Sequence, residues 1–311
     1  MKLPSRIPSL AQILLLAGIA GITPRLPAEE PAPANKILFI YGPTKHPPGT
    51  HEVAAGARLL KYCVDESIEH GAFQTEICEG WPTSPSTLSN VRLVVFTGDQ
   101  FPPYILKDSD TIFRQLSEMV DRGCSIVCIH YATSVNDTKS QKVPPAVQSD
   151  LYRWIGGFGL FLPDNAEPGT QAHIMQATMI PAKVDHPVLR GVVSFSLRDE
   201  PYYPIRFDPK ASGAVVTPLM TAMIPPDLPS RQVVSWCIDR GGGSRGFAVV
   251  MPHFFVNWQI DDLRKLVLNG IFWAAGAEIP AKGIDARLPP LEAFRPMAVQ
   301  FTPPAKDLIH P

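Results

Sequence analysis

Ionisable side chains follow three strongly apolar segments of this sequence. His46, His51 and Glu52 lie shortly after KILFIY, His130 directly follows CSIVCI, and His253 follows GFAVVMP. Imidazoles transfer protons near neutral pH and bind metals, so histidines beside a carboxylate suit acid–base or metal-assisted chemistry. No HExxH or CxxC motif is present, and the spacing within one segment therefore does not define a metal site. A shared site requires that separate segments bring these residues together.

The apolar segments predict strands that are buried on both faces. They read KILFIY, VRLVVFT, CSIVCI and GFAVVM. Residues 108–122 and the segment IDDLRKLVLNGIFWAAG have apolar residues at helical spacing, and each ends at a glycine. The alternation of strands and helices predicts an α/β fold with a doubly wound, mostly parallel sheet.

Ligands of open α/β sheets bind beyond the carboxyl ends of the strands, where the histidines are expected. We therefore predict that the imidazole of His130 lies within about 8 Å of at least one of His46, His51 and His253, close enough to share a metal. A single histidine at such a position can instead be a hydrogen-bonded structural residue. The expected metal ligands are His46, His51, His130 and His253, and the expected catalytic residues are His130, Glu52 and His253.

Other polar and aromatic residues suit the binding of a sugar. Asp99 ends VVFTGD, Glu200 precedes Tyr202 in DEPYY, and Trp258 precedes the last helix. Carboxylates accept hydrogen bonds from hydroxyl groups, and aromatic faces cover apolar surface. We take these four as candidate substrate-binding residues. The alternative is a turn carboxylate beside core tyrosines.

Several motifs resemble those of the ThuA-like (trehalose utilisation) family in the same order. They are GPTKHPPGTHEVAAGARLL, IVCIHYATSV, YRWIGGF, HPVLRGVVSFSLRDEPYY and RGFAVVMPHFFVNWQIDDLRKLVLNGIFWAAG, and they span about residues 36–280. The resemblance implies a flavodoxin-like fold similar to class I glutamine amidotransferases. It also implies carbohydrate catabolism, with sugars related to trehalose or their keto derivatives as substrates. With the histidines, we expect a divalent metal cofactor, zinc first among the candidates.

The chain departs from the amidotransferase and ThuA patterns at several positions. Amidotransferases carry a cysteine nucleophile at the strand-to-helix elbow, but here the apical residue is His130 and Cys128 lies within the strand. We therefore expect no glutamine amidotransferase activity. Phe255 and Pro204 stand where relatives often have histidines. These losses leave a second hypothesis open, namely a non-catalytic carbohydrate-binding or scaffold protein.

The composition argues against nucleic acid as a partner. The chain has 28 Lys and Arg against 29 Asp and Glu, for a formal net charge of −1. Binding to phosphate backbones needs a clustered basic excess, which the sequence lacks. The glycine-rich segment GGGSRG lacks the Lys-Ser/Thr pair of a phosphate loop, so no nucleotide cofactor is expected. A small-molecule sugar is the expected partner.

The N-terminus has the pattern of a signal peptide. Lys2 and Arg6 precede the apolar segment LAQILLLAGIAGI, and a Pro- and Ala-rich segment follows. The apolar segment is too short for a membrane span, so none is expected after cleavage. We predict a signal peptide at 1–28, a ThuA-like domain at 35–280 and a Pro-rich tail at 281–311, and hence export to the periplasm or medium.

Export can be tested on protein from its native host. We expect mass spectrometry to find a mature N-terminus near Glu29, because cleavage after Ala28 fits the pattern. Cytosolic protein that retains Met1 would contradict the prediction.

Overall fold

The computed structural model describes residues 35–67 and 73–295. The predicted signal peptide and residues 296–311 of the predicted tail lie outside the described residues. The strands are β1 (Lys36–Tyr41), β2 (Gln74–Glu79), β3 (Val91–Thr97), β4 (Ser125–Ile129), β5 (Ser134–Asn136), β6 (Gly157–Phe161), β7 (Gln171–Ala172), β8 (Met175–Pro181), β9 (Phe195–Asp199), β10 (Tyr202–Tyr203), β11 (Arg206–Phe207), β12 (Val216–Ile224), β13 (Ser230–Asp239) and β14 (Arg245–Val249). The helices are α1 (Val53–Ser67), α2 (Pro85–Leu88), α3 (Pro102–Ile105), α4 (Ser109–Asp121), α5 (Pro145–Ile155), α6 (Pro209–Ser212) and α7 (Asp261–Ala275).

A nine-stranded sheet in the order β2-β1-β3-β4-β14-β13-β12-β8-β9 forms the centre of the fold. The first five strands are parallel, in the order typical of flavodoxin-like folds. The remaining strands extend the sheet through antiparallel pairs. The predicted α/β class is confirmed, and the extended segments of the second half form the antiparallel part.

Helices cover both faces of the parallel strands, as a doubly wound sheet requires. Ile37 and Phe39 of β1 face the side covered by α1 and α7, whereas Leu38 and Ile40 face the side covered by α4 and α5. Successive strand residues point to opposite faces, so strands buried on both sides are apolar throughout. This is why the strands of the parallel part appear in the sequence as continuous apolar segments.

The register of the parallel strands brings their carboxyl ends level. Tyr41 pairs with Thr97, Thr97 with Ile129, and Ile129 with Val249. Residues that directly follow β1, β3, β4 and β14 must therefore lie along one edge of the sheet. The sequence places histidines or Asp99 after each of these four strands.

The segment after α7 packs against the body of the domain. Ile279, Leu291 and Phe294 are buried, and the Phe294 ring lies 5.5 Å from the ring of Tyr62 in α1. This segment includes the described part of the predicted Pro-rich tail. No helix within residues 35–67 and 73–295 is long and apolar enough to cross a membrane.

Gly156 ends α5 in the left-handed region at φ 83°. A Cβ at this position would also overlap the side chain of Ile238 in β13. Gly213 ends α6 at φ 65°, but a Cβ there would meet no atom within 4 Å. The two glycines thus share a backbone conformation and differ in their surroundings.

We expect Gly156→Ala to lower the free energy of unfolding by about 2–4 kcal/mol, because left-handed strain and overpacking add. Gly213→Ala, which has the strain alone, should cost about 1 kcal/mol. Urea denaturation of both variants measures the difference. Equal losses would show that the contact with Ile238 does not matter.

Candidate metal centre

Three imidazole nitrogens meet at the edge of the sheet. His51 Nε2 lies 2.9 Å from His130 Nε2 and 2.9 Å from His253 Nδ1. His130 Nε2 and His253 Nδ1 lie 3.2 Å apart, so the three nitrogens form a nearly equilateral triangle. All three residues are buried. We call this group the histidine triangle; its members come from the segments after β1, β4 and β14.

His130 stands at the elbow where β4 ends. Its φ is 50°, in the left-handed region that non-glycine residues seldom adopt, and a 3₁₀ turn of His130–Thr133 follows. Such a conformation costs about 1–3 kcal/mol and persists only where the surroundings impose it. Here the turn takes the imidazole out of the strand's alternation, while Cys128 stays in the core on the α4 and α5 side. His130 Nδ1 donates to the carbonyl of Val250, just after β14, at 2.9 Å.

His51 is held by the loop between β1 and α1. Its φ is 41°, and its backbone N–H donates to the carbonyl of His253 at 3.0 Å. The ring Nδ1 lies 2.6 Å from Asp99 Oδ1. A carboxylate accepts but does not donate, so the proton of neutral His51 is assigned to Nδ1. The same reasoning places the proton of His130 on Nδ1, because the Val250 carbonyl accepts it.

These tautomers leave the Nε2 lone pairs of His51 and His130 facing each other at 2.9 Å. Burial lowers the pKa of both imidazoles, which keeps them neutral. The Tyr202 hydroxyl can donate to His130 Nε2, and His253 Nδ1 can donate to His51 Nε2. Neither donor places a proton between the two Nε2 atoms. The lone pairs repel each other unless a cation lies between them. The geometry therefore fits a metal ion.

The donor set also fits a metal in number and spacing. Bonds of about 2.0–2.1 Å to a tetrahedral ion place neighbouring ligands about 3.3 Å apart, close to the sides of the triangle. A fourth donor is Glu200 Oε2, which lies 3.2 Å from His253 Nδ1. The ligand atoms of His51, His130, Glu200 and His253 lie within 4.8 Å of one another. The described residues thus include a cluster that could hold a divalent ion.

Asp99 and His46 lie beside the triangle. The Asp99 carboxylate contacts His51 Nδ1 and, through Oδ2, His46 Nδ1 at 2.8 Å. Burial alone would raise the pKa of Asp99, but hydrogen bonds from His46, His51 and the Lys45 amide lower it below its usual value. An ionised carboxylate behind an imidazole fixes its orientation and raises its basicity. Asp99, which was predicted to bind substrate, thus lies behind His51, a candidate metal ligand.

His46 does not reach the triangle. Its ring stacks on His51 at 3.6 Å, and its side chain is 34% exposed. It forms a second possible metal-binding group with His51 and Asp99. The structure therefore places Glu200, which was predicted to bind substrate, nearer to the triangle than His46, which was predicted to bind metal.

Residues 199–202, where β9 ends and β10 begins, line the other side of the triangle. The Tyr202 hydroxyl lies 3.0 Å from His130 Nε2, and the two rings stack at 4.6 Å. Asp199 is buried; it accepts hydrogen bonds from the His253 backbone N–H and from Asn257 Nδ2, at 2.9 and 2.6 Å. Asp199 therefore positions His253, while Glu200 and Tyr202 reach the triangle itself.

Glu52 and Trp258 occupy other positions. Glu52 forms an ion pair with Arg295 at 2.7 Å, outside the triangle. Trp258 is 3% exposed and lines a cavity of about 30 Å³ together with the three histidines. That volume has room for water and not for a sugar. Phe255, which stands where relatives often carry a histidine, lines the same cavity.

Tyr131 also belongs to the site, and the sequence prediction missed it. Its ring lies 5.4 Å from the His51 ring and 5.2 Å from the Tyr202 ring, edge to face in both cases. Its hydroxyl is hydrogen-bonded to Asn136. The signal available in the sequence was its position directly after the elbow histidine.

Fold and site together define a class of protein, namely a flavodoxin-like α/β domain with a histidine cluster at the carboxyl edge of its parallel strands. The sequence model of the family described as "ThuA: Trehalose utilisation" matches residues 36–274. The chain belongs to this family. No curated protein matches it at a significant level.

One solved structure shows the same fold, and two others are more distantly similar. A ThuA-like protein from Bacteroides uniformis superposes with a TM-score of 0.53 at 15% identity, over 80% of this chain and 95% of that one. A cytoplasmic protein of Salmonella typhimurium LT2 has a TM-score of 0.48 at 12% identity, over 77% of this chain and 99% of that one. A glutamine amidotransferase from Methylobacillus flagellatus has a TM-score of 0.38 at 13% identity, with coverages of 73% and 75%.

The position of Cys128 allows a direct test against amidotransferase chemistry. Cys128 is fully buried, and burial raises the pKa of its thiol, so a thiolate nucleophile is disfavoured. We expect no glutaminase activity and no alkylation of Cys128 by iodoacetamide in the folded protein. Partly exposed Cys78 is the internal control and should react first in a peptide-mass assay. Rapid labelling of Cys128 would contradict this assignment.

Proposed function

We propose that this protein is an exported, metal-dependent enzyme of carbohydrate catabolism that acts on trehalose-related or keto sugars. The observation that carries the proposal is the 2.9 Å contact between the Nε2 atoms of His51 and His130, whose protons the hydrogen bonds at Nδ1 assign to the other ring nitrogen. Family membership supports the link to sugars. Export rests on the sequence of residues 1–28.

Zinc is the ion we assign to the triangle. Three imidazoles are donors that zinc accepts, and a catalytic zinc site keeps its fourth position for water or substrate. Both Nδ1–H groups that point away from the centre have acceptors, at Asp99 and at the Val250 carbonyl, as metal-bound histidines usually do. A zinc ion in such a site polarises a carbonyl oxygen or lowers the pKa of bound water.

The remaining residues supply proton transfer and orientation. Glu200 has a side chain that is 21% exposed and lies at the edge of the triangle, so it can accept a proton from a bound sugar. The Tyr202 hydroxyl, buried beside His130, is placed to donate a hydrogen bond to a substrate oxygen. In a keto sugar, Glu200 would take the proton beside the carbonyl, the freed electron pair would form a C=C bond as the neighbouring glycosidic C–O bond breaks, and the Tyr202 hydroxyl would donate a proton to the leaving oxygen.

A cavity of about 430 Å³ next to His46 and His51 supports a small-molecule substrate. Its size falls in the usual range for such sites, about 300–1,000 Å³. Pro47, Pro48 and Tyr41 offer apolar surface for sugar C–H groups, and Glu79 offers a carboxylate for hydroxyls. We assign one sugar unit of the substrate to this cavity.

Metal content tests the proposal. Purified wild-type protein should carry about one zinc ion per chain, and His130→Ala should carry almost none, because one of three imidazole ligands is lost. The matched control is His173→Ala, which removes an exposed histidine outside the triangle. Elemental analysis by mass spectrometry measures the metal, and circular dichroism verifies that each variant is folded.

Activity is measured on disaccharides with and without an oxidised hydroxyl group. Metal-dependent turnover of either set supports the enzyme. If wild-type protein contains no metal and its melting temperature rises with sugar, the protein is instead a non-catalytic carbohydrate-binding protein. Phe255 and Pro204, at positions where relatives often have histidines, left this second hypothesis open.

A further inference from the structure

Arg295 forms a forked ion pair with Glu52. Arg295 Nε lies 2.9 Å from both oxygens of the Glu52 carboxylate, and Nη2 lies 2.7 Å from Oε1. The two side chains are only 15% and 13% exposed. A forked Arg–carboxylate pair of this kind fixes direction as well as distance, and here water screens it little.

Glu52 connects this pair to the loop that carries His51. It follows His51 directly in the chain, and its Oε1 accepts the backbone N–H of Gly49 at 2.8 Å. The same loop is tied to the segment that carries His253, because the Phe255 N–H donates to the Gly49 carbonyl at 2.9 Å. Glu52 therefore holds the strained turn in which His51 has a φ of 41°.

The guanidinium of Arg295 also contacts the second segment. It lies over the ring of Phe255 at 5.3 Å from the centroid, two residues beyond His253. The Arg295 side chain thus contacts both the segment that carries His51 and the segment that carries His253. The neighbouring residue Phe294 fixes the position of Arg295. Its ring packs on Tyr62, and its carbonyl accepts a hydrogen bond from Arg58 Nε.

Arg295 comes from outside the part of the chain that defines the family. The match to the family model ends at residue 274 of this chain, and Arg295 lies in the segment that follows α7. We infer that this C-terminal segment is a clasp, residues 287–295, in which Arg295 acts as a positioning residue: through Glu52 it holds the turn that presents His51 to the metal. The inference rests on the proposed metal function of the triangle.

The clasp predicts weaker metal binding when the ion pair is broken. Arg295→Gln and Glu52→Gln should each weaken Zn²⁺ binding by roughly tenfold, the lower end of the effect of losing groups that orient ligands. Arg295→Lys, which keeps the positive charge but loses the fork, should weaken binding less than Arg295→Gln. Arg287→Gln is the matched control, because Arg287 lies in the same segment, is exposed and should leave binding unchanged. Competition with a chromophoric chelator gives the affinities.

A second measurement separates the clasp from the metal proposal. Hydrogen exchange of the amides of residues 49–51, in metal-free protein, should be faster in Arg295→Gln than in Arg287→Gln. If wild-type protein binds no Zn²⁺, the metal proposal fails, and the exchange rates still decide whether the clasp holds the loop. Unchanged exchange, or equal Zn²⁺ affinities in Arg295→Gln and wild type, would overturn the clasp.

Discussion

Four parallel strands that end at the same level determine where the chemistry of this protein can occur. The pairing of Tyr41, Thr97, Ile129 and Val249 brings the carboxyl ends of β1, β3, β4 and β14 to one edge. Every residue of the histidine triangle, and Asp99 behind it, follows one of these ends. A shift of register in one strand would turn its side chains to the other face and separate the donors. The buried apolar strands therefore hold the site together.

The elbow after β4 determines where the central histidine points. A strained turn ends this strand, with His130 at φ 50°. The side chain at this turn is the imidazole of His130, and its Nδ1–H donates to the Val250 carbonyl. The strained turn thus directs this imidazole towards His51 and His253 rather than into the core beside Cys128.

The sequence predicted the fold class and the strands that carry the histidines, because continuous apolar segments and their polar ends are local signals. It could not distinguish the positions of His46 and Glu200, since both follow strands and both have suitable side chains. Their distances to the triangle depend on the path of long loops. Arg295 could not be predicted at all, because its contact with Glu52 joins residues 243 positions apart. Contacts between a tail and a distant loop leave no periodic pattern in the sequence.

Different parts of the fold contribute different groups to the site. The parallel strands provide the three imidazoles, whereas Glu200 lies between β9 and β10, and Tyr202 begins β10, which pairs with β7 in a separate two-stranded sheet. These parts can change separately. Substitutions and insertions near β9 and β10 would move Glu200 and Tyr202, while the parallel strands would still set the positions of the three imidazoles. The groups beside the histidine triangle can therefore vary without rebuilding the triangle.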